Sequence, residues 1–433
     1  MNSISETRVG TAGSEQLTAP LIWAYALPKA GFGLMSTLFA TYLMKFATDV
    51  LLIAPAAMGV LIAASRLWDA VSDPLVGFLS DRTQSKFGRR RIWLLACGIP
   101  TTVGLIMMWS PPHFLSDIMI IIWMGFALLV YETASTAFYI PHGALGVELT
   151  PNYHERTRLF GYVHMITAVG SLVGLGSIYL MDSATDKREA AFLISTICGS
   201  IIGFLIIMCA WVMPERADFQ GRGSPRLLKS FLDVFRNPHA LLLFIVLGIE
   251  TFGAAVIGML APYLVDYVIP QEEMLVDKSI YLVITLVLYF LTQIALAPLW
   301  VRVSKKTGKK KLWVIGMAVA TCAFIAYYFA MYSPTILWVI AIAVGVSSGI
   351  AMVIGPAVQA DVVDYDEYLT GERKEGTYFA VWNMVRKGGA SVTALIVGLA
   401  LQAVHFQPNM EQTEATKETL RLLFSALPAT AYL

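Results

Sequence analysis

Long apolar blocks with few charges dominate the chain. Twelve such blocks are separated by short polar stretches, at 21–47, 54–80, 92–110, 116–148, 157–181, 189–213, 238–267, 279–302, 312–331, 335–363, 376–405 and 418–433. A bilayer core takes about 20 residues of helix, and lipid offers the backbone no hydrogen bonds, so such blocks must be helical. The pattern predicts an all-α membrane protein with twelve transmembrane helices. The last block is too short to span and is interpreted as truncated.

Composition supports the same class. Hydrophobic residues make up 57% of the chain and charged residues only 14%, whereas a soluble protein carries roughly 25% charged residues. All four cysteines lie inside apolar blocks, so no disulfide framework is predicted. The chain carries no HExxH or CxxC motif and no phosphate-binding loop. We therefore expect no enzyme activity, no cofactor, no ATP-driven pumping and no nucleic-acid partner.

Basic residues predict the orientation. With the N-terminus in the cytoplasm, the inside loops hold 19 lysines and arginines and the outside loops hold 4. Cytoplasmic loops of membrane proteins carry such an excess. The chain is therefore expected to be a multi-pass protein of a bacterial-type inner membrane, monomeric, with a cytoplasmic N-terminus.

Two motifs recur along the chain. Gly-Arg-Arg-Arg from Gly88 returns as Gly-Lys-Lys-Lys from Gly308, and the Glu-Arg pair ending at Arg156 returns at Arg373. The spacings are 220 and 217 residues (308 against 88, 373 against 156), and their agreement predicts two homologous six-helix halves. Such a plan is that of the major facilitator fold, with its substrate site at the midplane between the halves. The expected parts are a flexible tail, an N-terminal half, a cytoplasmic linker and a C-terminal half, at 1–20, 21–213, 214–237 and 238–433.

The second block carries charges at the depth where they are most costly. Arg66, Asp69 and Asp73 lie three and seven residues apart and so project from one face of a helix. A charge at mid-bilayer costs about 2.5–3.5 kcal/mol on insertion scales, which makes these residues candidates for a functional site. Two close carboxylates would be relieved by a bound cation, a proton or a basic partner such as Lys387. The alternative is a structural Arg66–Asp69 ion pair, with Asp73 paired elsewhere.

Other charges and histidines lie inside the apolar blocks. Glu132 and Glu250 are further intramembrane acids, and Lys29 and Arg386 are possible partners that the sequence alone does not assign. His142 and His164 are intramembrane as well. Each of these side chains could equally be a packed polar group.

The polar loop after the second block is a candidate gate. Asp81 closes the predicted helix, and the basic residues that follow could hold it against neighbouring helix ends in one state. The alternative is a loop that only sets topology. Acids at 361–367 would pair with the basic loops nearby. The candidate gating residues are Asp81, Arg82, Arg89, Arg90, Glu148, Arg156, Asp364 and Arg373.

These runs resemble a known family, the glycoside–pentoside–hexuronide:cation symporters. The resemblance is carried by residues 64–74, 77–91, 148–160, 361–376 and 386–389 and extends over nearly the whole chain. It implies the major facilitator fold and secondary transport of a solute with Na⁺ or H⁺. It also implies a cation site formed by Asp69, Asp73, Ser72 and Thr136 with Lys387 close by, and a solute pocket that includes Trp382 and Asn383.

The chain departs from the galactoside carriers of that family. Where those carriers place two aspartates and an arginine on the sugar, this chain has Gly33, Tyr139 and His164. We therefore expect an acidic or otherwise modified sugar rather than a neutral galactoside. The pocket is expected to be lined by Gly33, Arg66, Tyr139, His142, His164, Trp382 and Asn383.

Two other functions compete with sugar symport. A lipid-transporting branch shares the architecture, so a cation-coupled symporter of a lysolipid or other amphiphile is the alternative. A non-transporting membrane sensor on the same fold is a third candidate, and the intact Asp69, Asp73 and Lys387 argue against it because a sensor need not keep an ion site.

Overall fold

The computed structural model describes residues 16–150, 153–215, 234–270, 272, 274–330, 333–370 and 375–433. Within these ranges the chain forms a bundle of long helices. The first, α1, runs through the consecutive segments Ala19–Ala26, Pro28–Thr37, Leu38–Tyr42, Leu43–Lys45 and Phe46–Val50. The others are α2 Pro55–Arg82, α3 Arg91–Trp109, α4 Asp117–Glu148, α5 Tyr153–Asp182, α6 Lys187–Val212, α7 Pro238–Tyr267, α8 Lys278–Thr307, α9 Lys309–Ala330, α10 Pro334–Thr370, α11 Glu375–Ala403 and α12 Glu414–Tyr432.

The helices match the predicted blocks closely, apart from their ends. In the described part of the chain, nine helices are long and apolar enough to cross a membrane. The first helix is longer than the predicted 21–47 because it begins at Ala19 and because a π-helical segment, Phe46–Val50, continues it. The last helix begins at Glu414, four residues before the predicted block, because Thr413 caps it by accepting from the Thr416 N–H.

The two glycines of the predicted repeat adopt matching backbone conformations. Gly88, between α2 and α3, has φ +102°, and Gly308, between α8 and α9, has φ +83°. Both values lie in the region that favours glycine. The turn after the second helix of each half therefore needs glycine for the same reason.

Glycines also set how closely the helices pack. The seam between the halves runs along α2 and α11. A methyl group on Gly59 would lie 2.6 Å from the Ala394 carbonyl oxygen, and one on Gly398 would lie 2.5 Å from the Pro55 carbonyl oxygen. Small residues at such contacts let membrane helices approach backbone to backbone.

One end of the bundle is closed by a buried polar network, which we call the closed-end network: Lys45, Asp49, Asp182, Asp266, Tyr267 and Ser279. Lys45 is 2% exposed and pairs with Asp182 at 3.2 Å and with Asp266 of the other half. Ser279 donates to Asp182 at 2.7 Å, and Tyr267 donates to Asp49 at 2.7 Å. These contacts join α1 and α5 of the first half to α7 and α8 of the second.

Candidate functional site

The acidic face of α2 meets α11 of the other half. The Lys387 ammonium lies 3.1 Å from Asp69 and 2.8 Å from Asp73. From α4, the Thr136 hydroxyl donates to Asp73 at 2.8 Å. Asp69 and Asp73 can share one partner because four residues bring them to the same helical face, one turn apart. The structure thus brings together four residues of the predicted cation site.

A second basic residue supports the same cluster. Arg66 lies 3.3 Å from Asp69 and 2.9 Å from Glu132 on α4. The predicted structural Arg66–Asp69 pair is therefore present, and it coexists with the Lys387 bridge. Counting formal charges, the carboxylate cluster Asp69, Asp73, Glu132, Arg66 and Lys387 carries a net charge of about −1 with all groups ionised.

The donor set suits a hard monovalent cation. Asp69 Oδ1 and Ser72 Oγ are buried without a hydrogen-bond partner, three residues apart on α2. Buried polar oxygens are normally satisfied, so two unsatisfied ones beside a net negative charge form a plausible ligand pair for a cation. Oxygen ligands are those that hard cations prefer.

Three predicted pocket residues are exposed. Tyr139 on α4 is 42% exposed, and His164 on α5 and Asn383 on α11 are exposed as well. His164 and Asp182 are eighteen residues apart, which is five turns, so they share a face of α5. Since Asp182 bonds to Ser279 of α8, that face is directed at the second half.

The structure does not place His142 and Trp382 on an open surface. His142 is fully buried between Tyr25 and Phe138, with ring centroids 4.0 Å and 4.6 Å away, and its Nε2 lies 2.9 Å from the Tyr25 carbonyl oxygen. Trp382 is 1% exposed and packs against Tyr378. In this conformation both rings are packed against aromatic side chains, and their place in the solute pocket stays a prediction.

Gly33 serves helix packing. A methyl group there would lie 2.1 Å from the Thr167 carbonyl oxygen, where α1 approaches α5.

We expect Gly33→Ala to lower the yield of folded protein severely, because a backbone atom cannot give way as a flexible side chain can. Size-exclusion chromatography of detergent-solubilised membranes measures this. Gly176→Ala on α5, which meets nothing within 4 Å, is the matched control and should behave like the parent.

The other intramembrane charges find different partners. Glu250 accepts a hydrogen bond from the Trp313 indole, and Arg386 is exposed. Lys29 lies over the Tyr139 ring, 3.8 Å from its centroid. Glu132, which the sequence left unassigned, pairs with Arg66.

The candidate gating residues hold one half together. Arg89 pairs with Glu148 at 2.7 Å, and Arg90 pairs with Asp81 at 2.5 Å, so α2, α3 and α4 are tied within the first half. Arg82 lies over the Phe78 ring, and Asp364 is exposed. Arg373 and the side chain of Arg156 lie outside the described residues, as do residues 1–15 of the tail and 216–233 of the linker.

Comparison with known proteins places the chain in a family. The family described as MFS/sugar transport protein matches residues 24–433, so the chain belongs to it. The fold is shared with the crystal structure of the nucleoside transporter NupG (D323A mutant), with a TM-score of 0.71 and 14% identity over 95% of this chain and 98% of that one. The chain is thus a major facilitator symporter and not an enzyme.

Two curated relatives cover most of the chain. It is 25% identical to the glucuronide carrier protein homolog of Escherichia coli (strain K12), over 96% of this chain and 90% of that protein. It is 24% identical to the sodium-dependent lysophosphatidylcholine symporter 1-A of Danio rerio, over 96% of this chain and 84% of that protein.

Sequence reasoning missed the closed-end network. Lys45, Asp182 and Asp266 stand at the predicted ends of blocks, where charges are ordinary. The sequence did hold one indication, because all three residues fall at the same predicted end of their helices. The structure brings them together there.

Proposed function

We propose that this protein imports an acidic or otherwise modified sugar together with Na⁺ or H⁺ by alternating access. The observation that carries the proposal is the carboxylate cluster, which joins the two halves through Lys387 and holds three acids against two basic groups. A cation that completes the charge balance there changes the contact between the halves. Such a site couples ion binding to the rocking of the halves, as a coupling free energy between two sites.

Lys387 links cation binding to the contact between the two halves. Its ammonium touches one oxygen of each α2 carboxylate, so a cation entering between Asp69 and Asp73 competes with it for the same two carboxylates. Release of Lys387 would free α11 from α2 at mid-depth. A solute that contacts Asn383, four residues earlier on the same face of α11, would then sense whether the cation is bound.

The conformation described here corresponds to an inward-open state under the proposed orientation. The closed-end network lies beside the connections 183–186 and 268–277, which the charge bias places outside. At the opposite end, the Arg89–Glu148 and Arg90–Asp81 pairs lie within the first half, and the Lys309–Asp361 pair lies within the second. Solute would therefore leave toward the cytoplasm from this state.

The orientation has its own test. Cysteine introduced at Thr185 or Glu272, both exposed at the closed end, should react with a membrane-impermeant maleimide added to intact spheroplasts. The 19-to-4 distribution of basic residues is the reason. A cysteine at exposed Lys306 should react only after permeabilisation. Protection of both outer positions in intact spheroplasts would contradict the orientation.

Uptake into proteoliposomes tests the function itself. The solutes to compare are radiolabelled methyl glucuronide, methyl glucoside and lysophosphatidylcholine. We expect accumulation to be driven either by an inward Na⁺ gradient at equal pH or by an inward H⁺ gradient without Na⁺. A lysolipid symporter is the alternative, supported by the relative from Danio rerio. Accumulation of the lysolipid alone would select that alternative, and no gradient-driven uptake of any of the three would contradict symport of these solutes.

A further inference from the structure

Lys29 is an intramembrane ammonium with no acidic partner among the residues that the structure describes. It lies on the Pro28–Thr37 segment of α1 with its side chain partly exposed. Its Nζ is 3.8 Å from the Tyr139 ring centroid and 5.2 Å from that of Phe138. Among the described residues it forms no ion pair and no hydrogen bond. All three of its N–H donors are therefore available to a ligand.

The contact with Tyr139 does not balance the charge. Placing a lysine inside the membrane without a counterion is costly. A cation–π contact returns only part of that cost. The other intramembrane basic groups of the first half, Lys45 and Arg66, each pair with two carboxylates, whereas Lys29 pairs with none in the described part of the chain. A lysine that remains in the membrane without a counterion points to an anion that binds reversibly.

Its position ties this site to the cation site. Tyr139 follows Thr136 by three residues, a rise of about 4.5 Å along α4, and Thr136 donates to Asp73. Tyr139, the ring beside Lys29, therefore follows by about one helical turn the residue of α4 that contacts the carboxylate cluster. Ser36, seven residues after Lys29 and so on the same face of α1, is exposed.

We propose that the Lys29 ammonium, flanked by the Tyr139 ring, binds an oxyanion of the transported solute: the carboxylate or sulfonate of a sugar acid. This inference rests on the proposed function, and it names the substrate class of the same site. A phosphodiester of a lysolipid presents the same chemistry from another source. The aromatic ring beside the ammonium suits the apolar face of a sugar ring.

The charges explain why such a solute would travel with a cation. Without the cation, the carboxylate cluster carries about −1 with all groups ionised and repels an anion held beside Tyr139, because Tyr139 and Thr136 lie on neighbouring turns of α4. With the cation bound, the cluster is neutral and the attraction of Lys29 acts alone. The cation therefore strengthens binding of the anion, and by linkage the anion strengthens binding of the cation to the same degree.

A matched pair of ligands tests the proposal. Methyl glucuronide and methyl glucoside differ by a carboxylate in place of a hydroxymethyl group, and a sugar sulfonate and lysophosphatidylcholine provide two further arms. Isothermal titration of the purified full-length protein in NaCl should give tighter binding of the glucuronide or the sulfonate than of the glucoside. Lys29→Met should weaken that binding about ten- to hundredfold and leave glucoside binding nearly unchanged, because the lost contact is a hydrogen bond to a charged group.

Two further variants make the result specific. Lys29→Arg keeps the charge and should retain most of the preference for the anion. Lys306→Met removes an exposed lysine far from the site and should bind all four ligands as the parent does. A preference for the anion that survives in Lys29→Met overturns the proposal, as does a parent that prefers the glucoside.

The outcomes separate this inference from the proposed function. Binding of lysophosphatidylcholine alone, lost in Lys29→Met, would support the oxyanion site while rejecting sugar as the solute. Cation-driven uptake of the glucoside, indifferent to Lys29→Met, would support symport while rejecting the oxyanion site. Folding is checked by size exclusion, and Lys29→Met is expected to fold, since it removes an uncompensated charge from the membrane.

Discussion

Asparagine at Asp73 or at Asp69 is expected to abolish accumulation driven by a cation gradient, while downhill exchange of solute survives in part. Either substitution removes one of the three acids of the carboxylate cluster, so Arg66 and Lys387 then balance it without a bound cation. The cation loses both an oxygen ligand and the charge that attracts it. Titration of NaCl into the purified variants, against choline chloride at equal ionic strength, should show binding weakened at least a hundredfold, since removing one partner of a buried charge pair costs about 3–5 kcal/mol.

A matched aspartate provides the control for this experiment. Asp361 is exposed and pairs with Lys309 at 2.6 Å, at the end of the bundle away from the closed-end network. Asp361→Asn should bind the cation as the parent does, because an exposed pair contributes at most about 1 kcal/mol and lies far from the cluster. If Asp69→Asn and Asp73→Asn both accumulate solute as well as the parent, these carboxylates are not the coupling site.

Methionine at Lys45 is expected to shift the protein toward the state that is open at the opposite side. Lys45 is buried and pairs with Asp182 of its own half and Asp266 of the other half. Removing it takes the buried partner from both carboxylates and leaves Asp182 with Lys187 and Asp266 with Lys278, which costs at most about 3 kcal/mol in the closed arrangement only. That change moves the equilibrium between the two states by at most about two orders of magnitude. Double electron–electron resonance between spin labels at residues 185 and 272 measures the separation of the halves at this end.

Lys278 provides a control that tests whether a charge in this network must be buried to hold the end closed. It also faces Asp266, at 3.5 Å, but its side chain is 41% exposed. Lys278→Met should move the distance distribution far less than Lys45→Met, because solvent screens an exposed pair. Equal distributions for the two variants would show that the closed-end network does not hold this end shut.

The sequence predicts the fold of this protein better than it predicts the pocket. Hydrophobic length alone fixes membrane helices, and the recurring Gly88 and Gly308 turns indicate the two halves, because both need an unusual backbone conformation. The α2 acids were identifiable for a similar reason, since a charge in lipid must have a use or a partner. The bounds of α1 were not identifiable from the sequence, because no residue pattern indicated its two π-helical segments.

Side-chain surroundings are where sequence reasoning fails. In a helix that is apolar all round, periodicity does not separate the face toward lipid from the face toward a neighbour or a cavity. His142 and Trp382 were therefore expected in the pocket and are instead packed among aromatic rings. The Arg66–Glu132 pair depends on the register of α2 against α4, which is a tertiary property that neither helix encodes alone.

The single negative charge left on the carboxylate cluster has a consequence for energetics. If one monovalent cation and one singly charged anion cross together, a full transport cycle moves no net charge. The membrane voltage, worth about 2.3 kcal/mol per elementary charge at 100 mV, then contributes nothing to accumulation. The steady-state ratio of solute inside to solute outside would be set by the concentration ratio of the cation alone. A cell that loses its voltage but keeps its ion gradient would continue to accumulate solute.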